Sequence, residues 1–169
     1  MKVLFIGDIV GKKARNLSLK KIKEFKKLKK VDFVIVNVEN SAGGFGVTPE
    51  IAEDFFNAGA DILTTGNHVW DKKEIIPYIN KSVKLLRPLN LIEGTPGVGL
   101  TILDTEFGRV GVANLMTNLF MKSSLPNSNY ISYGAFKGDN NELKSGPNTN
   151  FKPADMTNCT LLKGINDES

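Results

Sequence analysis

Apolar residues in the first half of this chain fall into short runs that each stop at polar side chains. Val3-Leu4-Phe5-Ile6 ends at Gly7-Asp8. Phe33-Val34-Ile35-Val36 continues through Asn37 and Val38 to Glu39-Asn40. Ala60 to Leu63 leads through Thr64-Thr65 to Gly66-Asn67-His68. Such runs, β-branched or aromatic and closed by turn residues, predict strands over 3–7, 31–38 and 60–65. Their near-continuous apolar character fits a parallel sheet covered on both faces.

Between the runs the period changes. Leu19, Ile22, Phe25 and Leu28 recur at helical spacing and predict a helix over about 15–29. Thr48-Pro49-Glu50 is a helix start, with Thr48 as N-cap and Pro49 at the first helical position, and Asn57-Ala58-Gly59 closes that helix. A third helix is expected over 72–80. The resulting β-α-β-α-β-α order predicts an α/β fold with a parallel sheet and crossover helices. Residues 87–97 read as an irregular loop, and 99–103 with 109–114 as a β-hairpin. From about 127 the chain turns rich in Asn, Ser, Gly and Lys, with little periodicity. Residues 1–126 are therefore expected to form the domain, and 127–169 a poorly ordered tail.

Composition narrows the class. The 169 residues, 41% hydrophobic and 24% charged, suit one globular domain. No apolar run nears the roughly 20 residues of a bilayer span, and the first residues meet an acid too soon for a signal peptide. One cysteine, Cys159, excludes an internal disulfide and suits a reducing compartment, so the expected address is the cytoplasm, with no membrane partner. A net charge of +4 raises the question of nucleic acid. Much of it lies in Lys20-Lys21, Lys23, Lys26-Lys27 and Lys29-Lys30 on the first helix. A solvated outer face is the ordinary reading of such lysines, and no aromatics interleave them, so RNA is the weaker partner expectation.

In open α/β sheets ligands bind at the carboxyl edge, where all three polar termini converge. Asp8, Glu39, Asn40 and Asn67 are oxygen donors, and His68 is the only histidine. Oxygen donors beside an imidazole suit Mn²⁺, Fe or Zn²⁺, and oxygen alone leans to Mg²⁺ or Mn²⁺. A carboxylate such as Glu39 can bridge two cations about 3.5–4 Å apart, the arrangement that clamps an in-line phosphoryl displacement. His68 could then protonate the leaving oxygen. Each residue also has a structural reading: Asp8 as a loop cap, Gly66-Asn67 as turn chemistry, His68 as a satisfied imidazole. Gly43-Gly44-Phe45-Gly46 lacks the lysine and spacing of a nucleotide-binding loop.

Phe5-Ile6-Gly7-Asp8-Ile9-Val10-Gly11, Asn37-Val38-Glu39-Asn40-Ser41-Ala42-Gly43-Gly44 and Thr65-Gly66-Asn67-His68-Val69-Trp70-Asp71-Lys72-Lys73-Glu74, in this order, resemble the YmdB-type metallophosphoesterases of the calcineurin-like superfamily. Arg87-Pro88-Leu89-Asn90, Gly94-Thr95-Pro96-Gly97 and Val112-Ala113-Asn114-Leu115-Met116 extend the resemblance over about residues 1–126. It implies the N-terminal half of an α/β metallophosphoesterase sandwich. It also implies a centre of two metal ions, iron or manganese ahead of magnesium or zinc, and phosphodiesterase activity on cyclic nucleotides. By the resemblance Asp8 and Asn40 hold one metal, Glu39 bridges both, Asn67 holds the second, and His68 is the proton donor. Homo-oligomers are expected. The family's three further metal-binding histidines have no counterpart in a chain with one histidine. The alternative expectation is thus a truncated, non-catalytic remnant that binds metal or nucleotide without turnover.

Overall fold

The computed structural model describes residues 1–91 and 94–116; the tail expected over 127–169 lies outside the described residues. Four parallel strands form the main sheet in the order β1 (Val3–Ile6), β2 (Phe33–Asn37), β3 (Ile62–Thr64), β4 (Leu85–Leu86). Register pairs Phe5 with Ile35, Ile35 with Ile62, and Leu63 with Leu85. Three helices connect these strands: α1 (Gly11–Lys27), α2 (Pro49–Ala58) and α3 (Ile75–Ile79). Strands β5 (Leu100–Thr105) and β6 (Gly108–Ala113) form a separate antiparallel hairpin. This is the α/β architecture expected, with the parallel sheet and the hairpin both present.

Side chains alternate across a strand, and here the two faces have different covers. Val34, Val36, Leu63 and Leu85 pack with Ile22 of α1, Ala52 and Phe55 of α2, and Ile75 and Ile79 of α3. Phe33, Ile35, Ile62 and Leu86 pack instead with Val110 and Val112 of the hairpin. Burial on both faces explains why β2 reads as a continuous apolar run. The edge strand β1 is less enclosed: Phe5 is 63% exposed. Among the described residues no helix is long and apolar enough to cross a membrane.

Several boundaries differ from the sequence expectation for physical reasons. Helix α1 starts at Gly11 rather than 15, although Val10 offers no capping side chain. Its first N–H donates to the Asn40 carbonyl at 3.1 Å, a tertiary bond that no local pattern encodes. The helix stops at Lys27 rather than 29, where Lys29 turns left-handed. Helix α2 keeps its expected ends: the Thr48 hydroxyl accepts from Ile51 N–H, and Gly59 closes it at φ 107°. Helix α3 spans only Ile75–Ile79 because 67–74 are taken up by successive turns. Strand β4 was not expected at all. Two residues carry no period, and only pairing with Leu63 and Thr64 defines them.

Candidate active site at the carboxyl edge

The site is assembled by backbone bonds between the loops that leave β1, β2 and β3. Ile9 N–H donates to the Asn37 carbonyl at 3.2 Å, and Val38 N–H to the Thr64 carbonyl at 2.9 Å. The loop after β2 is anchored by buried Ser41, whose hydroxyl donates to the Val38 carbonyl at 2.7 Å. From α1, Arg15 Nη1 donates to the Ser41 carbonyl at 2.8 Å. Behind the Gly66 turn, Asn114 at the end of β6 donates through Nδ2 to the Thr65 carbonyl at 2.7 Å and the Leu86 carbonyl at 3.1 Å. The polar termini are thus fixed on rigid elements.

Asp8, Glu39 and Asn40 come together. Asn40 Nδ2 donates to Asp8 Oδ2 at 2.8 Å. That leaves Asn40 Oδ1 facing away from its donor, buried and with no hydrogen-bond partner. Glu39 Oε2 is likewise buried and unpartnered. Two buried oxygens without partners, on consecutive residues, are costly unless something positive meets them. Burial pushes the Glu39 carboxyl above its ordinary range, and the nearby Asp8 charge pushes it further; His68 opposes both.

Residue 66 has to be glycine for this arrangement. A β-carbon there would lie 2.6 Å from Glu39 Cδ and 2.8 Å from Oε1. Just beyond it, His68 Nδ1 meets Asp71 Oδ2 at 2.7 Å. That contact favours the tautomer with hydrogen on Nδ1 and presents Nε2 as the outward nitrogen. Phe45, from the glycine-rich loop, packs edge-on against the imidazole with ring centroids 4.9 Å apart. Asn67 sits on the same turn, exposed, and among the described residues its side chain bonds to none of the other four.

The donor set fits oxygen-preferring cations: two carboxylates, two amide oxygens and, beside them, one imidazole. Among the described residues no three His, Cys, Asp or Glu side chains stand close enough to hold an ion by themselves. Sequence reasoning missed the supporting residues Asp71, Phe45, Arg15 and Asn114. Asp71 alone had a local signal, an acid three residues after the histidine; the others reach the site only through the fold.

A family model described as YmdB-like protein matches residues 4–149. The chain is 41% identical over 121 residues to a 2',3'-cyclic-nucleotide 2'-phosphodiesterase of Bacillus subtilis, covering 72% of this chain and 46% of that one. It is 31% identical over 120 residues to a putative phosphatase/phosphodiesterase of Mycoplasma pneumoniae, covering 69% of this chain and 43% of that one. Among solved structures it is similar to a hypothetical protein from Thermus thermophilus, with a TM-score of 0.67 and 33% identity over 72% of this chain and 47% of the other. A novel phosphatase from Mycoplasma pneumoniae gives 0.62 and 31%, over 68% and 42%. The chain therefore spans less than half the length of these relatives.

Proposed function

Since the chain belongs to the YmdB-like family, we propose that its strand-end cluster is the N-terminal share of a metal-dependent phosphodiesterase site. The orphaned oxygens of Glu39 and Asn40 beside Asp8 carry this reading. Cyclic nucleotides, 2',3' or 3',5', are the proposed substrate class, and the name of the Bacillus relative supports the 2',3' form. The proposed assembly is a homo-oligomer in the cytoplasm.

In this reading Asp8, Asn40 and Glu39 would hold one cation, and Glu39 and Asn67 would hold a second. Iron or manganese, ahead of magnesium or zinc, would neutralise phosphate charge and supply an activated water near neutral pH. The chain's own residues prepare for that charge. Gly66 leaves room for the Glu39 carboxylate, and Asp8 raises the local negative potential that draws a cation in. Asp71 fixes the His68 ring through Nδ1, so that in the imidazolium form, with hydrogen on both nitrogens, Nε2 can give its proton to the leaving oxygen and leave the neutral Nδ1–H tautomer. Phe45 limits the tilt of that ring.

A chain with one histidine, already engaged by Asp71, also favours a second reading: cation or nucleotide binding without turnover. One experiment separates the two. Hydrolysis of a chromogenic phosphodiester is followed with added Mn²⁺ or Fe²⁺, beside Glu39→Gln, while Mn²⁺ binding is read by calorimetry. Metal-dependent turnover lost in the variant supports the enzyme. Turnover unchanged in the variant sinks the proposed site, and Mn²⁺ binding without turnover selects the second reading.

A further inference from the structure

The outer face of α1 carries a charge pattern that the phosphoesterase site does not use. Lys13, Lys20 and Lys27 recur every seven residues, two helical turns apart, and Lys12 and Lys23 flank them. At 3.6 residues per turn these five lie within an arc of about 100°, along a stripe about 22 Å long. All five are exposed, and none pairs with a carboxylate among the described residues. The lysines that do pair lie off the stripe: Lys21 with Glu24 at 2.9 Å, and Lys26 with Asp61 at 2.8 Å. Glu24 at its margin is thereby already engaged. Among the described residues no ion pair is made along the stripe, although the Glu24 charge at its margin also reaches Lys20.

Its position matters more than its charge. The first residue of α1 bonds to the Asn40 carbonyl, and Arg15 to that of Ser41, so the stripe starts beside Asp8 and Asn40. On the loop that follows Asn40, Phe45 is 58% exposed and lies next to His68. A polyanion lying on the stripe would have its end at the site, with an aromatic face beside it. We infer that α1 is the docking track for single-stranded RNA, and that the phosphodiester presented to the site is the terminus of an oligoribonucleotide rather than a free nucleotide. This rests on the phosphodiesterase reading for the chemistry, but not for the binding.

The chemistry favours RNA over an anionic lipid surface. Regularly spaced lysines neutralise successive phosphates of a flexible backbone without reading bases. An aromatic at the reacting end can stack a terminal base, an interaction that a lipid headgroup has no use for. The stripe itself carries no aromatic, so affinity along it is independent of sequence.

Binding of a fluorescein-labelled single-stranded RNA of roughly twelve nucleotides by the full chain, in chelator and across a salt series, tests this. Lys13→Glu, Lys20→Glu and Lys27→Glu together are expected to weaken binding at least about tenfold. They should also flatten the slope of log affinity against log salt by about 2, at roughly 0.7 per neutralised phosphate. The same three positions changed to Gln, which keeps the helix free of new charge pairs, should flatten it equally. Lys81→Glu, Lys84→Glu and Arg109→Glu, an equal change of net charge elsewhere on the exposed surface, should leave affinity within about twofold. Phe45→Ala should weaken binding at least about fivefold. Equal losses in the α1 Glu variant and in the Lys81, Lys84 and Arg109 control, or no binding by the wild type, overturns the inference. An unchanged Phe45→Ala affinity points to any polyanion and overturns the assignment to RNA. Displacement of RNA by phosphatidylglycerol vesicles at matched charge replaces it with a lipid surface. Binding is read in chelator, without hydrolysis, so a failed hydrolysis experiment leaves this result standing.

Discussion

The carboxylate of Glu39 lies directly over Gly66, in the space that a β-carbon on residue 66 would occupy. The two residues come from the ends of neighbouring parallel strands, β2 and β3. Gly66→Ala would therefore strike the flexible end of a side chain, not backbone. The expected result is a folded protein, with thermal stability within about 1 kcal/mol of the wild type, that has lost at least tenfold in Mn²⁺ affinity. Circular dichroism melting beside calorimetric titration reads both. A variant that binds Mn²⁺ normally would show that the Glu39 position is unimportant to the cation.

Glu39 also ties stability to pH. Its carboxyl is pushed up by burial and by Asp8, so the native state holds its proton more tightly than the unfolded chain does. Stability from this group is fully present below the ordinary carboxylate range and falls as pH rises through the elevated native value. Glu39→Gln removes the charge and should raise the melting temperature at neutral pH, with the gain disappearing in acid. Excess Mn²⁺ should stabilise the wild type and not the variant. A gain that persists unchanged at low pH would contradict the account.

Asp71 holds His68 by a single 2.7 Å contact between side chains three residues apart. In protein showing metal-dependent hydrolysis, His68→Ala should lower kcat by about 10²–10⁴-fold, the usual worth of a positioned proton donor. Asp71→Asn should lower kcat less, with KM nearly unchanged, because the ring stays but loses its orientation. Steady-state kinetics on a chromogenic phosphodiester distinguishes the two. A change confined to KM would assign Asp71 to substrate binding.

Asn114 is a structural tie between the hairpin and the site. Its amide serves two carbonyls, those of Thr65 and Leu86, beneath the Gly66 turn. Asn114→Ala leaves both without that donor, at an expected cost of about 1–3 kcal/mol. Urea unfolding measures the loss. Asn114→Asp keeps the shape but removes the donor, so it should destabilise at least as much.

The strands that deliver the site were legible in the sequence because each is apolar and ends abruptly in polar residues, β2 and β3 being enclosed and β1 less so. Val34 and Val36 point to the helices, Phe33 and Ile35 to the hairpin, and the unbroken run records both. The α2 boundaries were legible because Thr48 and Gly59 make their contacts locally. The start of α1 was not, since it is set by a carbonyl 29 residues away at Asn40. Leu85–Leu86 was invisible for a similar reason: a two-residue strand exists only by its partner. Asp8, Glu39, Asn40 and His68 could be named from strand-end position. Their place on one sheet edge could be named too, but the contacts within the group could not, because the Asn40 to Asp8 bond, the vacated space at Gly66 and the Phe45 contact depend on three loops meeting.

The turn after β3 holds both the only histidine and the only tryptophan of the chain, His68 and Trp70, two residues apart. His68 faces the cluster, while the partly buried Trp70 packs against the core. The protein thus carries a built-in pair of spectroscopic reporters at the place of interest. The imidazole ring protons give one set of magnetic-resonance signals free of overlap from any other histidine. The indole emission comes from a single site, so it needs no separation into components. Arrival of a cation, docking of a phosphate ester or loosening of the Gly66 turn can each be followed in the unlabelled wild-type molecule, one signal watching the chemistry and the other the packing beneath it.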